Sequence, residues 1–190
     1  MSQPFTPPKT LLDVAAMPSP CQVQRDEQGR LIAATFESAP TPSAQAGAER
    51  WLVAIDGSEH SLHALALAAR LASESGARAL DLVNVQPWLS QEAAEIELPR
   101  RGWAACADAR ALLDARSLAW RLQVRMGEPA SCIVEQARTL GGRGIVIGAR
   151  GLTAGAALLL GSVAQQVIHS AHGAVLVVHL PAPPKEVQPC

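Results

Sequence analysis

The amino-acid sequence predicts an α/β domain, in which a parallel sheet carries helices on both faces. Between residues 49 and 180, short apolar runs of strand length alternate with segments of helix length. The prolines are concentrated outside this region, with seven before position 49 and four from Pro181 onward. We therefore divide the chain into a Pro-rich tail (1–48), a domain (49–180) and a second tail (181–190).

The first strand is predicted at Trp51 to Ile55, because this run is short and apolar. A turn over Asp56-Gly57-Ser58 follows, and Ser58 is a favourable N-cap for the next helix. That helix ends at Gly76 and places apolar residues on one face: Leu62, Leu65, Ala66, Ala69 and Ala72. The second strand is predicted at Leu80 to Val85.

The middle of the domain is predicted to begin with an irregular connection from Pro87 to Pro99. The second helix is predicted within Arg101 to Ala115. The third strand, Leu118 to Met126, alternates strictly between apolar and other residues, so that Arg121, Gln123 and Arg125 share one face. A strand with one wet face favours a place at the edge of the sheet.

Two further helices and strands complete the domain. The third helix begins near Pro129 and ends at Gly141, and strand four follows at Gly144 to Ile147. Gly161-Ser162 opens the fourth helix, and strand five is Ala174 to His179. Five strands joined by helices imply right-handed crossovers in a parallel sheet.

Within the first tail, residues Cys21 to Phe36 are compatible with a hairpin. Val23-Gln24-Arg25 and Arg30 to Ala33 would flank a turn at Asp26 to Gly29. Disorder is at least as good an interpretation of this segment, and the sequence leaves the two open.

Composition excludes several classes of protein. The 16 basic and 17 acidic residues give a net charge of −1, which indicates neither nucleic acid nor an anionic membrane as a partner. The only lysines are Lys9 and Lys185, so a GxxxxGK[ST] phosphate loop is absent.

The four cysteines form no C-x-x-C pair, and the most apolar stretch, Ala154 to Ala164, is too short to span a bilayer. No secretory signal is recognisable at Met1, so we expect a cytoplasmic protein with reduced thiols.

The candidate chemistry lies after strands one and four. Parallel sheets bind ligands beyond the carboxyl ends of their strands, where the strand order reverses. Asp56 follows strand one and is able to accept hydrogen bonds from a base or a ribose. Gly148-Ala149-Arg150-Gly151 follows strand four, and Gly161-Ser162 then opens a helix whose free N–H groups favour phosphate.

The spacing Gly148-x2-Gly151-x9-Gly161-Ser162 resembles the signature of the ATP-binding branch of the universal stress protein family. Matching pieces also occur at Val53 to Ser58, at Gly127 to Ala130, at Leu158 to Ala164 and at Val175 to Val178. The resemblance implies a Rossmann-like, open five-stranded parallel sheet of order 3-2-1-4-5. It also implies a nucleotide at the switch point and homodimers, for which the uncharged fifth strand, Ala174 to Val178, is the expected interface.

Carried over by position, the resemblance implies a role for each matching residue. Asp56 would contact adenine or ribose, and the backbone of Val85 would meet adenine. Ribose and phosphates would be wrapped by Gly148, Arg150 and Gly151, and phosphate would be bound by Gly161, Ser162 and Val163. The implied cofactor is ATP, with or without Mg²⁺. Arg150 is the only basic residue in the motif, because the loop from Leu152 to Ala157 has none.

The resemblance, together with these residues, implies a stress-response protein that acts as an ATP-dependent sensor or adaptor and is not an enzyme, although slow ATP hydrolysis stays compatible with the residues. An interaction module of the same fold that binds no nucleotide is the alternative. An ATP-using transferase or hydrolase of related fold is disfavoured, because Asp56-Gly57-Ser58-Glu59 replaces the Ser/Gly-rich loop of such enzymes. The histidine pairs His60/His63 and His169/His172 are interpreted as surface residues, and Cys132 as a packing residue.

Overall fold

The computed structural model describes residues 17–38, 50–152 and 160–180. The strands are β1 (Gln22–Arg25), β2 (Leu31–Glu37), β3 (Trp51–Ala54), β4 (Ala79–Gln86), β5 (Ala119–Met126), β6 (Gly144–Gly148) and β7 (Ala174–Val178). The helices are α1 (Glu59–Glu74), α2 (Gln91–Ala105), α3 (Ala107–Ala115), α4 (Pro129–Leu140) and α5 (Ser162–Ser170). The outer parts of both predicted tails and most of the loop after Leu152 lie outside the described residues.

All seven described strands form one sheet of order β1-β2-β5-β4-β3-β6-β7. Strands β5, β4, β3, β6 and β7 are parallel, whereas β1 and β2 add to the β5 side in antiparallel fashion. The expected five-stranded, purely parallel sheet is therefore wrong for the sheet as a whole, which has seven strands and is mixed.

The prediction that the third strand of the domain is an edge is also wrong. This strand is β5, and it lies between β4 and β2. Its polar face is half-buried because the hairpin supplies partners: Glu37 on β2 stands opposite Arg121 and forms an ion pair with it at 2.6 Å. Alternation identified a polar face, but it carried no information on whether the backbone edge was paired.

The segment for which hairpin and disorder were both open forms the hairpin β1–β2. Asp26 organises its turn by accepting hydrogen bonds from the N–H groups of Gln28 and Arg30. The hairpin is held on α2 by the ring pair Phe36–Trp103, whose centroids are 5.0 Å apart, and by the ion pair Arg25–Glu95. Part of the predicted tail is therefore built into the sheet.

Helix α2 replaces most of the irregular connection predicted between Pro87 and Pro99. Ser90 caps its start by accepting a hydrogen bond from the N–H of Ala93 at 3.3 Å. Pro99 lies inside the helix and is buried, which costs about 3 kcal/mol in an isolated helix. Burial of Ala94, Leu98 and Trp103 against the core offsets this cost.

The core has two halves, one on each face of the sheet. One half packs α1, α2 and α3 against the sheet, with Leu65, Leu98 and Leu113 fully buried. The other half packs α4 and α5 around Leu52, Val83 and Ile145. Helices thus cover both faces, as the sequence predicted, and α4 and α5 bring their N-termini toward the carboxyl ends of the central strands.

Close packing between α2 and β5 predicts that Gly102→Ala lowers the free energy of unfolding. A Cβ on Gly102 would lie 2.3 Å from Cγ1 of Val124, so the helix must move away from the sheet. Overpacking of this kind costs about 1–3 kcal/mol, of which the better helix propensity of alanine returns about 1 kcal/mol at most. Urea unfolding measures the net loss. Gly173→Ala is the control, because its Cβ would meet no atom within 4 Å. Equal stability of Gly102→Ala and wild type would contradict this packing.

Candidate functional site

A cavity of about 350 Å³ lies where β3, β4 and β6 end and where α4 and α5 begin. It sits at the point where the order of the parallel strands reverses, the usual ligand position in such sheets. The structure brings all of the predicted site residues together on its walls, namely Asp56, Val85, Gly148, Arg150, Gly151, Gly161, Ser162 and Val163.

Asp56 bridges the two turns that border the cavity. Its Oδ1 accepts a hydrogen bond from the N–H of Ser58 at 2.9 Å, which stabilises the turn before α1. Its Oδ2 accepts one from the N–H of Leu152 at 3.2 Å, just after the turn that follows β6. Asp56 is therefore a turn residue and a cavity residue at once, and the two interpretations made from the sequence do not exclude each other.

The glycines of the turn after β6 allow close approaches that a side chain would prevent. A Cβ on Gly151 would lie 2.6 Å from Oδ2 of Asp56, and one on Gly148 would lie 2.8 Å from the backbone carbon of His60. Gly148 thus lets β6 pass close to the start of α1, and Gly151 leaves room for the Asp56 carboxylate. Both glycines therefore shape the cavity by allowing the chain segments around it to pack closely.

Helix α5 directs its N-terminus at the cavity. The N–H of Gly161 donates to the carbonyl of Ala149 at 2.8 Å, which ties the helix start to the turn after β6. The N–H groups of Ser162, Val163 and Ala164 belong to the first turn and have no acceptor within the helix, and all three residues line the cavity. Helix starts of this kind attract anions.

Arg150 contributes positive charge to the same wall. In the part of the chain that the structure describes, its Nε is buried and has no hydrogen-bond partner. A buried N–H donor without an acceptor is uncommon, because desolvating it costs about 1–3 kcal/mol. An anionic ligand beside α5 would supply the missing acceptor.

The remaining wall is apolar and comes from three elements. Val83 and Val85 lie on β4, and Ile147 lies on β6, while α4 contributes Pro129 and Ile133. Sequence reasoning did not assign Ile133 to the site. Its position on the predicted apolar stripe of the helix was the available signal, but that stripe equally indicates core packing.

Asn84 precedes Val85 but is buried away from the cavity. Its Nδ2 donates to the carbonyl of Ile55 at 2.8 Å, and its Oδ1 accepts from Nε2 of Gln86 at 2.7 Å. The side chain therefore links the ends of β3 and β4 and fixes the backbone that carries Val85 and Asp56.

Glu128 and Cys132 belong to the supporting structure at the start of α4. Desolvation raises the pKa of Glu128, but hydrogen bonds from the N–H groups of Ser131 and Ala130 outweigh it and hold the pKa below its usual value. Burial raises the pKa of the Cys132 thiol, which keeps it protonated near neutral pH. These features agree with Glu128 as the N-cap of α4 and with Cys132 as a packing residue.

Two wider features concern the described residues alone. No group of three or more His, Cys, Asp or Glu side chains in them is arranged to hold a metal ion. The described helices include none that combines the length and the apolar character needed to cross a membrane.

The fold and cavity define a doubly wound α/β protein with a ligand-sized cleft at its switch point. A comparison with known protein families identifies the family within that class. The model of the universal stress protein family matches residues 47–179, and the chain belongs to this family.

Individual relatives agree with this assignment. Universal stress protein MJ0531 of Methanocaldococcus jannaschii is 33% identical over 138 residues, which cover 68% of this chain and 81% of the relative. A universal stress protein solved in complex with cAMP is 28% identical with a TM-score of 0.53, covering 69% of this chain and 96% of that one. A universal stress protein of Archaeoglobus fulgidus in complex with dAMP is 25% identical with a TM-score of 0.52, covering 68% and 97%.

Proposed function

We propose that this universal stress protein binds an adenine nucleotide, ATP, in the cavity between β3, β4, β6 and the starts of α4 and α5. The observation that carries the proposal is the combination of an apolar wall with the open N-terminus of α5 and the unpartnered Nε of Arg150. An apolar wall suits a flat base, and convergent N–H donors suit phosphate. The solved relatives with cAMP and dAMP support adenine as the base.

The proposed contacts follow the order of the walls. Val85 on β4 meets the base, and the Asp56 carboxylate accepts hydrogen bonds from the base or the ribose. Gly148, Arg150 and Gly151 surround the ribose and phosphates, and the N–H groups of Ser162 and Val163 bind phosphate next to Gly161. Mg²⁺ would accompany the phosphates as part of the ligand.

In this proposal the nucleotide controls a state of the protein, which acts as a cytoplasmic sensor or adaptor in a stress response and not as an enzyme. The alternative is an interaction module that keeps the fold but binds no nucleotide. Homodimer formation through β7 is part of the proposal, because Ala174 to Val178 offers an apolar, uncharged strand at the end of the described sheet.

Acid extraction of the purified protein, followed by identification of released nucleotides, tests the proposal directly. Calorimetric titration of the nucleotide-free protein with ATP, AMP and GTP then measures the preference for adenine. We expect binding of ATP and weaker binding of GTP. If the protein releases no nucleotide and shows no measurable binding, the interaction module is supported instead.

We expect Asp56→Ala to weaken ATP binding about ten- to a hundredfold, because hydrogen bonds to a charged group contribute about 1.5–3 kcal/mol. Calorimetry with ATP and with inorganic tripolyphosphate separates a nucleoside contact from a general disturbance of the turns. If Asp56 contacts the nucleoside, the variant should lose more affinity for ATP than for tripolyphosphate. Asp56→Asn is a comparison variant, because its Oδ1 still accepts from Ser58 while its Nδ2 can no longer accept from Leu152 or from the nucleoside. Unchanged ATP affinity in Asp56→Ala would leave Asp56 as a turn residue only.

A further inference from the structure

A second cavity, of about 370 Å³, lies on the α4 side of the sheet where the hairpin extends it. It shares no lining residue with the first cavity. Its floor comes from β1, β2, β4 and β5, and its side wall comes from the second half of α4, with Glu135, Gln136 and Thr139. The hairpin residues precede position 47, where the family match begins, so part of this cavity lies outside the matched region.

The strand register explains why polar side chains collect here. Gln22 on β1 pairs with Thr35 on β2, which pairs with Gln123 on β5. The neighbouring row runs from Glu37 through Arg121 to Asp81 on β4. Residues paired across strands point to the same face, so these rows form a continuous polar floor beside the apolar core under α4.

Each of the three arginines that line the cavity pairs with a carboxylate, and two of these carboxylates, Asp81 and Glu135, also line it, whereas Glu37 does not. Arg50 contacts Asp81 at 2.8 Å, and Arg125 contacts Glu135 at 2.8 Å. The third pair is Arg121–Glu37. Each guanidinium has more N–H donors than these bonds use, so all three arginines are able to donate hydrogen bonds to a further anion.

Several polar atoms in this cavity are buried without a hydrogen-bond partner, whereas the polar atoms of a solvated sheet face form hydrogen bonds with water. Among the described residues, Oδ2 of Asp81, Oε1 of Gln123 and Nε of Arg50 lack hydrogen-bond partners. The Asp81 residue is only 2% exposed. Burial raises the pKa of Asp81, although Arg50 and Arg121 oppose the shift. Buried acceptors and a buried donor in one concave space mark a place built for a ligand with both kinds of group.

We infer that this cavity binds a small anion that also carries hydroxyl groups, of the sugar-acid or sugar-phosphate kind. The anionic group would lie against the guanidinium groups of Arg50, Arg121 and Arg125, for which carboxylates and phosphates are the best acceptors. The hydroxyl groups would donate to Oε1 of Gln123 and Oδ2 of Asp81 and accept from the amide groups of Gln22 and Gln24. Leu140 is the only apolar residue among the described residues that line this cavity, which disfavours a flat base at this site.

Nuclear magnetic resonance of the ¹⁵N-labelled full chain tests this inference with gluconate and glucose 6-phosphate as probes. Titration to about 10 mM nearly saturates a site with a Kd of about 1 mM. We expect the side-chain amide signals of Gln123 and Gln24 and the Nε–H signal of Arg121 to move with one or both probes. Gluconate alone would indicate a sugar acid, and glucose 6-phosphate alone would indicate a sugar phosphate. Glucose, which lacks the anion, and propionate, which lacks the hydroxyls, should bind at least about tenfold more weakly.

Three variants and one matched control complete the test. Arg121→Gln should weaken binding about tenfold and Gln123→Leu about fivefold, whereas Gln166→Leu, on exposed α5 outside both cavities, should not. Thr35→Val, which keeps the shape of a buried strand residue, gives a second measurement if Arg121→Gln fails to fold. ATP affinity should stay unchanged in all four variants. The inference is overturned by shifts confined to Gly161, Ser162 and Val163, by no shifts with either probe, or by equal weakening in Gln166→Leu.

Discussion

Gly161→Val is expected to abolish detectable ATP binding while leaving the protein folded. Gly161 has φ −74° and ψ 155°, which suit any residue, and its Cβ would approach no atom closer than 3.5 Å. Its nearest neighbours would be Ala149, Arg150 and Gly151, so a valine side chain would extend along the turn that faces the start of α5. The added methyl groups would occupy the space where phosphate approaches the N–H groups of Ser162 and Val163.

Calorimetry with ATP measures this loss, and thermal unfolding verifies that the variant is folded. Losing the phosphate contacts of the helix start is expected to cost at least about 3 kcal/mol, or more than a hundredfold in affinity. Gly173→Val is the matched control, since it adds the same side chain in open space before β7. ATP affinity equal to wild type in Gly161→Val would show that phosphate does not lie at this helix.

The residues predicted from the local patterns and from the family resemblance all line one cavity, because the position of that cavity depends on where the strands end. Asp56 follows β3, Val85 lies near the end of β4, and Gly148 closes β6, so a parallel sheet necessarily brings them to one edge. The apolar wall from Ile133 was not assigned, because a buried residue in a helical stripe has the same sequence pattern whether it faces the core or a cleft. That these residues bind a nucleotide stays a prediction.

The hairpin and α2 show what the sequence pattern could not decide. Strand β1 is exposed along its whole length and has no apolar alternation, so its stability depends on pairing with β2 and on the contact of Arg25 with Glu95. Likewise, Pro99 indicated that no helix passes through this position. The continuous helix is explained by burial of Leu98 and Trp103 beneath the hairpin. Both elements depend on long-range contacts, which a local pattern does not contain. The second cavity follows from the same contacts.

Strand β7 is expected to hold a homodimer, and Val177→Pro is expected to dissociate it. The described hairpin lies beside β5, at the other end of the sheet, so residues 17–38 do not cover β7. The carbonyl of Val178 accepts from Ala149 and thus points toward β6. In a parallel ladder the residues alternate, so the N–H and carbonyl of Val177 point to the outer side, where a second copy would pair antiparallel across a two-fold axis.

Proline at Val177 removes that outward N–H but leaves the ladder between β6 and β7 intact, which is the position where an edge strand tolerates proline. Light scattering of the full chain should therefore report a dimer for wild type and a monomer for Val177→Pro. Val177→Ala keeps the N–H and trims the side chain, so it should remain largely dimeric and show that backbone pairing is responsible. Far-ultraviolet circular dichroism verifies that both variants are folded.

Deletion of residues 1–48 should also leave a dimer, since the proposed contact uses none of them, although losing β1 and β2 lowers stability. A monomeric wild-type chain, or a Val177→Pro variant that is folded and still dimeric, would place the interface elsewhere.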